Sequence, residues 1–216
     1  MSDVSREQLD RFVEACRDAA RRALVRCSCG NLSMRVDEQS FLITATGSWM
    51  ERMTAEQATL CHTRDGAVLR GPKPSSEVGF HAGILRARPE LNVVLHFQTP
   101  CATALACRKP DGLDYAVIPE VPYYIGSIAH VPYFTPGTDE LAAAVTEAMR
   151  TNDMVLMANH GQVTAGRDYD QVVQNAEFFE LACQILLIGG DAVAPMSAPA
   201  VEALRALRAK GTKRAC

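Results

Sequence analysis

Apolar residues recur at helical spacing through the first part of the chain: Leu9, Phe12, Val13, Cys16, Ala20 and Leu24 fall on one stripe. A period of 3.6 lets a helix bury one face, so the pattern predicts a helix over residues 5–25. Gly30-Asn31 interrupts it. Two short strands are expected next, at residues 32–36 and 41–46, around the polar turn Asp37-Glu38-Gln39. A further strand is expected at residues 67–69. Gly71-Pro72-Lys73-Pro74 must be irregular, because its prolines lack N–H donors and fix φ.

Ser75-Ser76-Glu77 then opens a helix. The serines can cap free N–H groups, the helix carries Phe80, His81, Ile84 and Leu85, and Pro89 stops it. Residues 91–97 form a nearly continuous apolar run with β-branched members, the mark of a buried strand. The stretch after Pro100 is helical in pattern. Residues 113–134, punctuated by prolines, read as short strands. Thr138-Asp139 starts a helix with Leu141, Val145 and Met149 on one face. Residues 154–158 predict a second buried strand, residues 169–188 a long helix, and residues 201–207 a last one. Helices alternating with short strands imply layers of helix on sheet. Residues 1–216 are read as a single domain, since the length suits one sizeable core and is short for two.

Composition narrows the class. With 48% hydrophobic and 22% charged residues, the chain is neither a disordered tail, a collagen-like fibre nor a coiled-coil rod. The net charge is −3 and no Lys/Arg run tracks a phosphate backbone, so nucleic acid is not an expected partner. Arg21-Arg22 and the tail residues Lys210, Lys213 and Arg214 read as solvated ends. No apolar run reaches the ~18 residues of a membrane span, and the charged opening lacks a signal-peptide core, so a cytoplasmic protein with no membrane partner is expected. Eight scattered cysteines, several in apolar stretches, suit reduced core thiols. Cys27-x-Cys29 has one intervening residue rather than the two of common zinc knuckles and redox pairs.

Three places put polar groups where packing alone would not. In Leu95-His96-Phe97-Gln98, residues two apart face one side of a strand, so His96 and Gln98 project together from its end. Ala158-Asn159-His160-Gly161 ends the other apolar strand, and strand ends are where sites are built in α/β folds. One histidine at a strand end is usually a hydrogen-bonded core residue. Two from separate strands can converge on one metal, and neutral imidazole is a good ligand for divalent transition metals. Ser75-Ser76-Glu77 is the third place. A helix start presents unpaired N–H groups and partial positive charge, which suits phosphate. Glu77 is either a dipole-favoured carboxylate or an acid/base or metal-binding group beside that cradle. Gly30-Asn31-Leu32-Ser33 and Thr44-Ala45-Thr46-Gly47-Ser48 are further donor-rich loops. No P-loop or dinucleotide fingerprint competes with them.

In this order, the pieces resemble the class II aldolase/adducin family, which includes L-fuculose-phosphate aldolase and ribulose-phosphate 4-epimerase. The resemblance rests on Gly30-Asn31-x-Ser33, Ile43-Thr44-Ala45-Thr46-Gly47, Pro74-Ser75-Ser76-Glu77 with Phe80-His81, Val94-Leu95-His96, Pro132-Tyr133 with Gly137-Thr138, and Asn159-His160-Gly161. It spans roughly residues 5–190. It implies a three-layer αβα fold around a mostly antiparallel sheet, and a homotetramer with active sites at subunit boundaries. Asn31, Thr46, Gly47, Ser75 and Ser76 match the family's phosphate-binding positions. Glu77 matches its acid/base carboxylate and is counted with the metal ligands. His96 and His160 match two of three metal-ligating histidines. Residues 118–124 resemble the segment that carries a catalytic tyrosine from a neighbouring subunit, placed at Tyr123, with Tyr124 one slip away.

One departure matters. Where the family reads His-x-His, this chain has His96-Phe97-Gln98. An amide oxygen is a neutral, harder ligand than imidazole. Gln98 is then a weaker ligand, or water replaces it, or the metal is lost and the domain only binds, as in the adducin head. Zn²⁺ is the expected metal, with Mn²⁺, Co²⁺ and Mg²⁺ open because of Gln98. The implied reaction is cleavage of an L-fuculose-1-phosphate-like ketose to dihydroxyacetone phosphate and an aldehyde through a metal-stabilised enediolate. The tyrosine would take the hydroxyl proton and Glu77 would move the proton at the enediolate carbon. Epimerisation, dehydration or decarboxylation of a related sugar phosphate uses the same chemistry. A lysine Schiff base is disfavoured, since Lys73, Lys109, Lys210 and Lys213 all lie in polar or irregular stretches. Segment 108–127 and the tail are expected to govern the aldehyde end; Trp49 and Tyr133 are candidates to line it, with core packing the expected role of each.

Overall fold

The computed structural model describes residues 4–108 and 112–214, with side chains through residue 210. Among the described residues, eight strands form one sheet: β1 (Asn31–Arg35), β2 (Ser40–Thr44), β3 (Ala58–His62), β4 (Val68–Arg70), β5 (Val93–Phe97), β6 (Ile128–Val131), β7 (Met154–Met157) and β8 (Gly161–Gly166). Their order is β4-β3-β2-β1-β5-β8-β7-β6. Every neighbouring pair is antiparallel except β6 with β7. The α-helices of the described residues are α1 (Arg6–Arg21), α2 (Val78–Ala87), α3 (Pro100–Ala106), α4 (Asp139–Ala148), α5 (Tyr169–Gly189) and α6 (Ala198–Arg214).

Strand alternation sorts the core into two clusters. Leu32, Val93, Leu95 and Phe97 pack with Phe12 and Cys16 of α1, Leu105 of α3 and Phe179 and Cys183 of α5. Phe41, Ile43, Val94, Val155 and Val163 pack on the other face with Phe80 and Ile84 of α2 and Leu141 and Val145 of α4. The result is a three-layer αβα sandwich around a mostly antiparallel sheet. The same alternation decides where the polar residues go. Asn31 and Ser33 flank Leu32 on β1, and His96 lies between Leu95 and Phe97 on β5, so all three point to the α2 side. The two strands are neighbours, with Asn31 opposite His96.

Local signals explain the helix starts. Ser5 and Gln8 form a reciprocal capping box at α1. Thr138 accepts the Leu141 N–H at α4, and Asp168 accepts that of Gln171 at α5. The helix expected at residues 5–25 ends sooner, at Arg21, where the chain turns through Ala23 at φ 57.

Several expectations need correction. β3 and β8 have no counterpart in the sequence reading. Both are buried on two faces for most of their length, so neither shows polar alternation. Residues 113–134 contain one strand, β6, and a π-helical turn at Val121–Ile125 rather than a series of strands. Residues 169–192 are long and apolar enough to cross a membrane, although Glu177 and Glu180 hide this in a simple search for apolar runs. In the fold this segment is chiefly α5, with Val172, Ala176, Phe179, Ala182 and Cys183 buried on the sheet. Trp49 is 40% exposed and Tyr133 58%, so neither is a core residue. Of the cysteines, 16, 61 and 183 are buried free thiols, while 27, 29 and 107 are exposed. Cys216 and Lys109 lie outside the described residues, as does the side chain of Lys213; Lys73 and Lys210 are exposed.

Candidate active site

Four loops and strand ends meet on the α2 side of the sheet. β1 brings Asn31, the turn after β2 brings Thr46 and Gly47, the start of α2 brings Ser75, Ser76 and Glu77, and the end of β5 brings His96 and Gln98. The β7–β8 turn adds His160. All of these line one cleft of about 190 Å³. Tyr123 is not among the lining residues. It stands in the π-helical turn, its ring edge-on to Tyr124, which in turn lies tilted against Phe178 of α5.

Two glycines make the approach possible. Gly30 has φ 80, and a Cβ there would lie 2.8 Å from the His96 carbonyl oxygen. A Cβ on Gly161 would lie 2.7 Å from Gln98 Cγ and 2.8 Å from the Phe97 carbonyl oxygen. The turn ahead of Gly161 holds Asn159 at φ 55, a left-handed conformation that Asn tolerates, and this swings His160 over the end of β5.

Glu77 is the centre. It is the N-cap of α2 rather than a first-turn residue, and it makes no capping hydrogen bond. This corrects the expectation that the serines cap the helix: Ser75 Oγ accepts the Glu77 N–H at 3.3 Å, ahead of the first helical residue, and Ser76 is exposed. The Glu77 carboxylate is 7% exposed. Its Oε2 accepts from Asn31 Nδ2 at 2.8 Å and lies 3.5 Å from His96 Nε2. Its Oε1 lies 3.3 Å from His160 Nε2 and has no hydrogen-bond partner.

His96 is set by its other nitrogen, whereas His160 Nδ1 is buried without a hydrogen-bond partner. His96 Nδ1 lies 2.9 Å from the Gln162 carbonyl oxygen, which can only accept, so Nδ1 carries the hydrogen and Nε2 offers its lone pair to the cleft. His160 stands edge-on to His96, ring centroids 4.9 Å apart. Burial, with a contribution from His96, pushes the His160 pKa below its ordinary value, and Glu77 opposes this. The imidazole is thereby kept neutral and able to bind a cation.

The donor atoms of Glu77, His96 and His160 all lie within 4.8 Å of one another. Two ligands bound at about 2.1 Å to one tetrahedral ion stand ~3.4 Å apart, and the two Glu77 oxygens lie at comparable distances from the imidazoles, Oε1 3.3 Å from His160 Nε2 and Oε2 3.5 Å from His96 Nε2, so the three side chains lie near the spacing of a divalent-cation site. The unpartnered Oε1 fits the same reading, because a buried carboxylate oxygen needs a donor or a cation. Gln98 is half-buried at the rim of this group.

The rest of the cleft is a cradle of small polar groups. Ser75 is buried, and Thr46 and Gly47 are exposed at the mouth. The Thr46 N–H is engaged with the Lys73 carbonyl at 3.0 Å, which leaves its hydroxyl for a ligand. Residues 112–116, 126–128 and 130–132 line a different, larger cavity of about 540 Å³ with Arg108 and Arg205. Segment 108–127 therefore does not border the Glu77 cleft within one chain, as far as its described residues go.

Sequence reasoning missed one residue of this site. His81, part of the motif behind the family resemblance but assigned no role from sequence, is fully buried and hydrogen-bonded to Asn31 Oδ1 at 2.5 Å and Ser33 Oγ at 2.7 Å. A histidine four residues after Glu77, one helical turn along the same face, was the available signal.

A family model described as the class II aldolase and adducin N-terminal domain matches residues 10–187. The 3-oxo-tetronate 4-phosphate decarboxylase of Haemophilus influenzae is 33% identical over 183 residues, covering 83% of this chain and 86% of that protein. The L-fuculose phosphate aldolase of Methanococcus maripaludis is 32% identical over 177 residues, covering 82% and 94%. Among solved structures, YgbL from Klebsiella pneumoniae, described as a candidate aldolase/epimerase/decarboxylase, superposes with a TM-score of 0.86 at 27% identity, covering 94% of this chain and 100% of that one.

Proposed function

The chain belongs to the class II aldolase and adducin family, and from that premise we propose that it is a metal-dependent lyase that decarboxylates a phosphorylated 3-keto sugar acid of the 3-oxo-tetronate 4-phosphate kind. The observation that carries this reading is the meeting, in one cleft, of the Glu77–His96–His160 cluster with the hydroxyl-lined cradle of Ser75 and Thr46.

His96, His160 and Glu77 would hold a divalent cation, with Gln98 at its rim; zinc is the first choice, and manganese, cobalt or magnesium are open because of the amide. When bound, the cation supplies Lewis acidity at the substrate's ketone oxygen. Ser75, Ser76, Thr46, Gly47 and the Asn31 loop hold the phosphate and so fix the carbon chain against Glu77. Loss of CO2 breaks the bond between the carboxylate carbon and its hydroxyl-bearing neighbour. The electron pair moves toward the ketone, and the neighbouring carbon must then gain one proton. Glu77 would deliver it, taking the proton from water beforehand: Oε2 is held by Asn31, and Oε1, which makes no hydrogen bond, would carry the proton when it is not bound to the cation. The products are CO2 and dihydroxyacetone phosphate.

Aldol cleavage of an L-fuculose-1-phosphate-like ketose is the second reading. It forms the same three-carbon phosphate but releases an aldehyde, and a base must then take a hydroxyl proton. That is the role the resemblance assigns to Tyr123, brought by a neighbouring subunit of a homotetramer. A departing carboxylate has no such proton to lose. The decarboxylation reading is thus supported by the residues that line the cleft in one chain and by the 33% identity to a decarboxylase.

The test supplies metal-loaded protein with 3-oxo-tetronate 4-phosphate or with L-fuculose 1-phosphate, and measures dihydroxyacetone phosphate, CO2 and aldehyde. Dihydroxyacetone phosphate with equimolar CO2 from the keto acid alone is the expected result. Aldehyde from the ketose phosphate would move the assignment to the aldolase reading. Turnover of neither would favour a binding domain.

A further inference from the structure

The buried polar residues behind Glu77 form one chain of hydrogen bonds whose proton positions can be deduced. His81 is wholly excluded from solvent and stacks on Phe80, ring centroids 4.8 Å apart. Its Nδ1 lies 2.7 Å from Ser33 Oγ and its Nε2 2.5 Å from Asn31 Oδ1. The deduction starts at the far end. Asn31 turns its amide nitrogen to Glu77 Oε2 at 2.8 Å and to Ser75 Oγ, two acceptors on one side. The Asn31 carbonyl oxygen then faces His81 and needs a donor, so Nε2 carries the hydrogen. Nδ1 is left as the acceptor, and the Ser33 hydroxyl donates to it. Burial, with the nearby His96 adding to it, pushes the His81 pKa down to about 3, so the ring is neutral.

The chain has a second arm. The other Asn31 amide hydrogen goes to Ser75 Oγ at 3.0 Å, and the same oxygen accepts the Glu77 N–H at 3.3 Å. With two donors aimed at it, Ser75 has its own hydroxyl hydrogen to give, and its side chain lines the cleft. Both amide hydrogens of Asn31 are engaged inside the protein. Its side chain therefore acts on a bound phosphate through Ser75, not by direct donation.

We propose that His81 is a positioning residue: as the Nε2–H tautomer it fixes the Asn31 amide, and through that one amide it sets both the Glu77 carboxylate and the Ser75 hydroxyl. The anion end and the carboxylate end of the site are thus coupled by a single side chain. The proposal rests on the reading of Glu77 as proton carrier and cation ligand and of Ser75 as anion donor.

Inorganic phosphate and Mn²⁺, titrated separately into metal-free protein by calorimetry, test it in wild type, His81→Phe, Asn31→Ala and the double variant. Phenylalanine keeps a ring against Phe80 and removes the donor. Losing a hydrogen bond that steers a charged group corresponds to roughly tenfold or more, and His81→Phe is expected to weaken both ligands by that factor. Because His81 acts only through Asn31, the double variant should lose no more than the Asn31→Ala single. Unchanged affinities in His81→Phe, or losses that multiply in the double variant, would overturn the proposal. Nitrogen-15 spectra of the wild-type imidazoles read the tautomer directly, even if His81→Phe fails to fold. A neutral Nε2–H ring at neutral pH is expected, and an Nδ1–H ring overturns the assignment. These measurements read binding and tautomer, not turnover. Protein that passes them yet converts neither candidate substrate refutes the proposed reaction and leaves the positioning role standing.

Discussion

Glu77 Oε1 and His160 Nε2 face each other at 3.3 Å, and the carboxylate oxygen has no hydrogen-bond donor. The other oxygen is held by Asn31. One carboxylate therefore has a fixed half and a vacant half, and the vacant half points at an imidazole kept neutral by burial. Leaving a buried polar atom unpaired costs about 1–3 kcal/mol. A cation or a transferable proton would remove that cost, and both belong to the chemistry proposed for the cleft.

Glu77→Gln separates these roles from simple packing. The amide keeps the side chain's size, its place ahead of α2 and an oxygen for Asn31. It removes the negative charge and the proton carrier. Turnover, followed as dihydroxyacetone phosphate release, is expected to fall by about 10²–10⁴-fold, while the melting temperature changes little. Turnover equal to wild type would make Glu77 no more than a helix-start carboxylate.

The two serines should differ. Ser75 is buried and its acceptor capacity is already used by Asn31 and the Glu77 N–H. Its hydrogen is thus directed to a ligand in advance. Ser76 is exposed and has more rotational freedom to lose. Ser75→Ala is expected to raise KM for the phosphorylated substrate roughly tenfold, since hydrogen bonds to charged groups are the stronger kind, with a smaller rise for Ser76→Ala. An unphosphorylated counterpart should show neither rise. Equal losses on both substrates would mean that the serines only shape the loop.

Much of this arrangement was legible from the sequence, and the gaps have physical reasons. His96 and His160 stood out because polar residues ended two apolar runs. Glu77 stood out because it followed two serines at a helix start. β8 did not, since Gly161–Gly166 is buried throughout and bracketed by glycines, so it carries neither alternation nor an apolar run. The π-helical turn at Val121–Ile125 resembles strand in sequence, because β-branched residues and prolines occur in both settings. The role of His81 is not legible from sequence, because its partners, Asn31 and Ser33, are some fifty residues distant in the chain (|i−j| of 50 and 48). Only the pairing of β1 beside β5, under α2, brings them together.

The depressed pKa of His81 sets an acid limit on stability. Burial, with a contribution from His96, lowers it from 6.5 to about 3. The unfolded chain takes up a proton below pH 6.5, and the folded protein refuses it until about pH 3. The contribution is therefore complete above pH 6.5 and is lost as pH falls, at about 1.4 kcal/mol per pH unit once well below 6.5. His81→Phe has no proton to refuse. Its melting temperature should fall less steeply than that of wild type between pH 6.5 and 4, as measured by calorimetry. Parallel curves would show that His81 is protonated in the folded state well above pH 3.

The metal-binding predictions turn on Gln98. Its Cγ lies against Gly161, close enough that a Cβ there would collide with it, and it lines the same cleft as His96 and His160. Its amide oxygen replaces an imidazole that the family resemblance calls for. An amide oxygen is the harder ligand, so the site should discriminate less between Zn²⁺ and Mn²⁺, Co²⁺ or Mg²⁺, and should give up its metal readily to a chelator. Gln98→His restores a third imidazole and is expected to raise Zn²⁺ affinity by tenfold or more, of the order seen when a metal's surroundings are altered. His96→Ala and His160→Ala each remove one of three converging donors, and both should abolish binding at micromolar metal. Calorimetric titration of metal-free protein covers all three variants. If Gln98→His leaves Zn²⁺ affinity unchanged while both alanine variants lose it, Gln98 lies outside the metal's coordination sphere and its amide is free to contact substrate. If neither alanine variant changes affinity, the cation does not bind at Glu77, His96 and His160, and the proposed Lewis-acid chemistry loses its site.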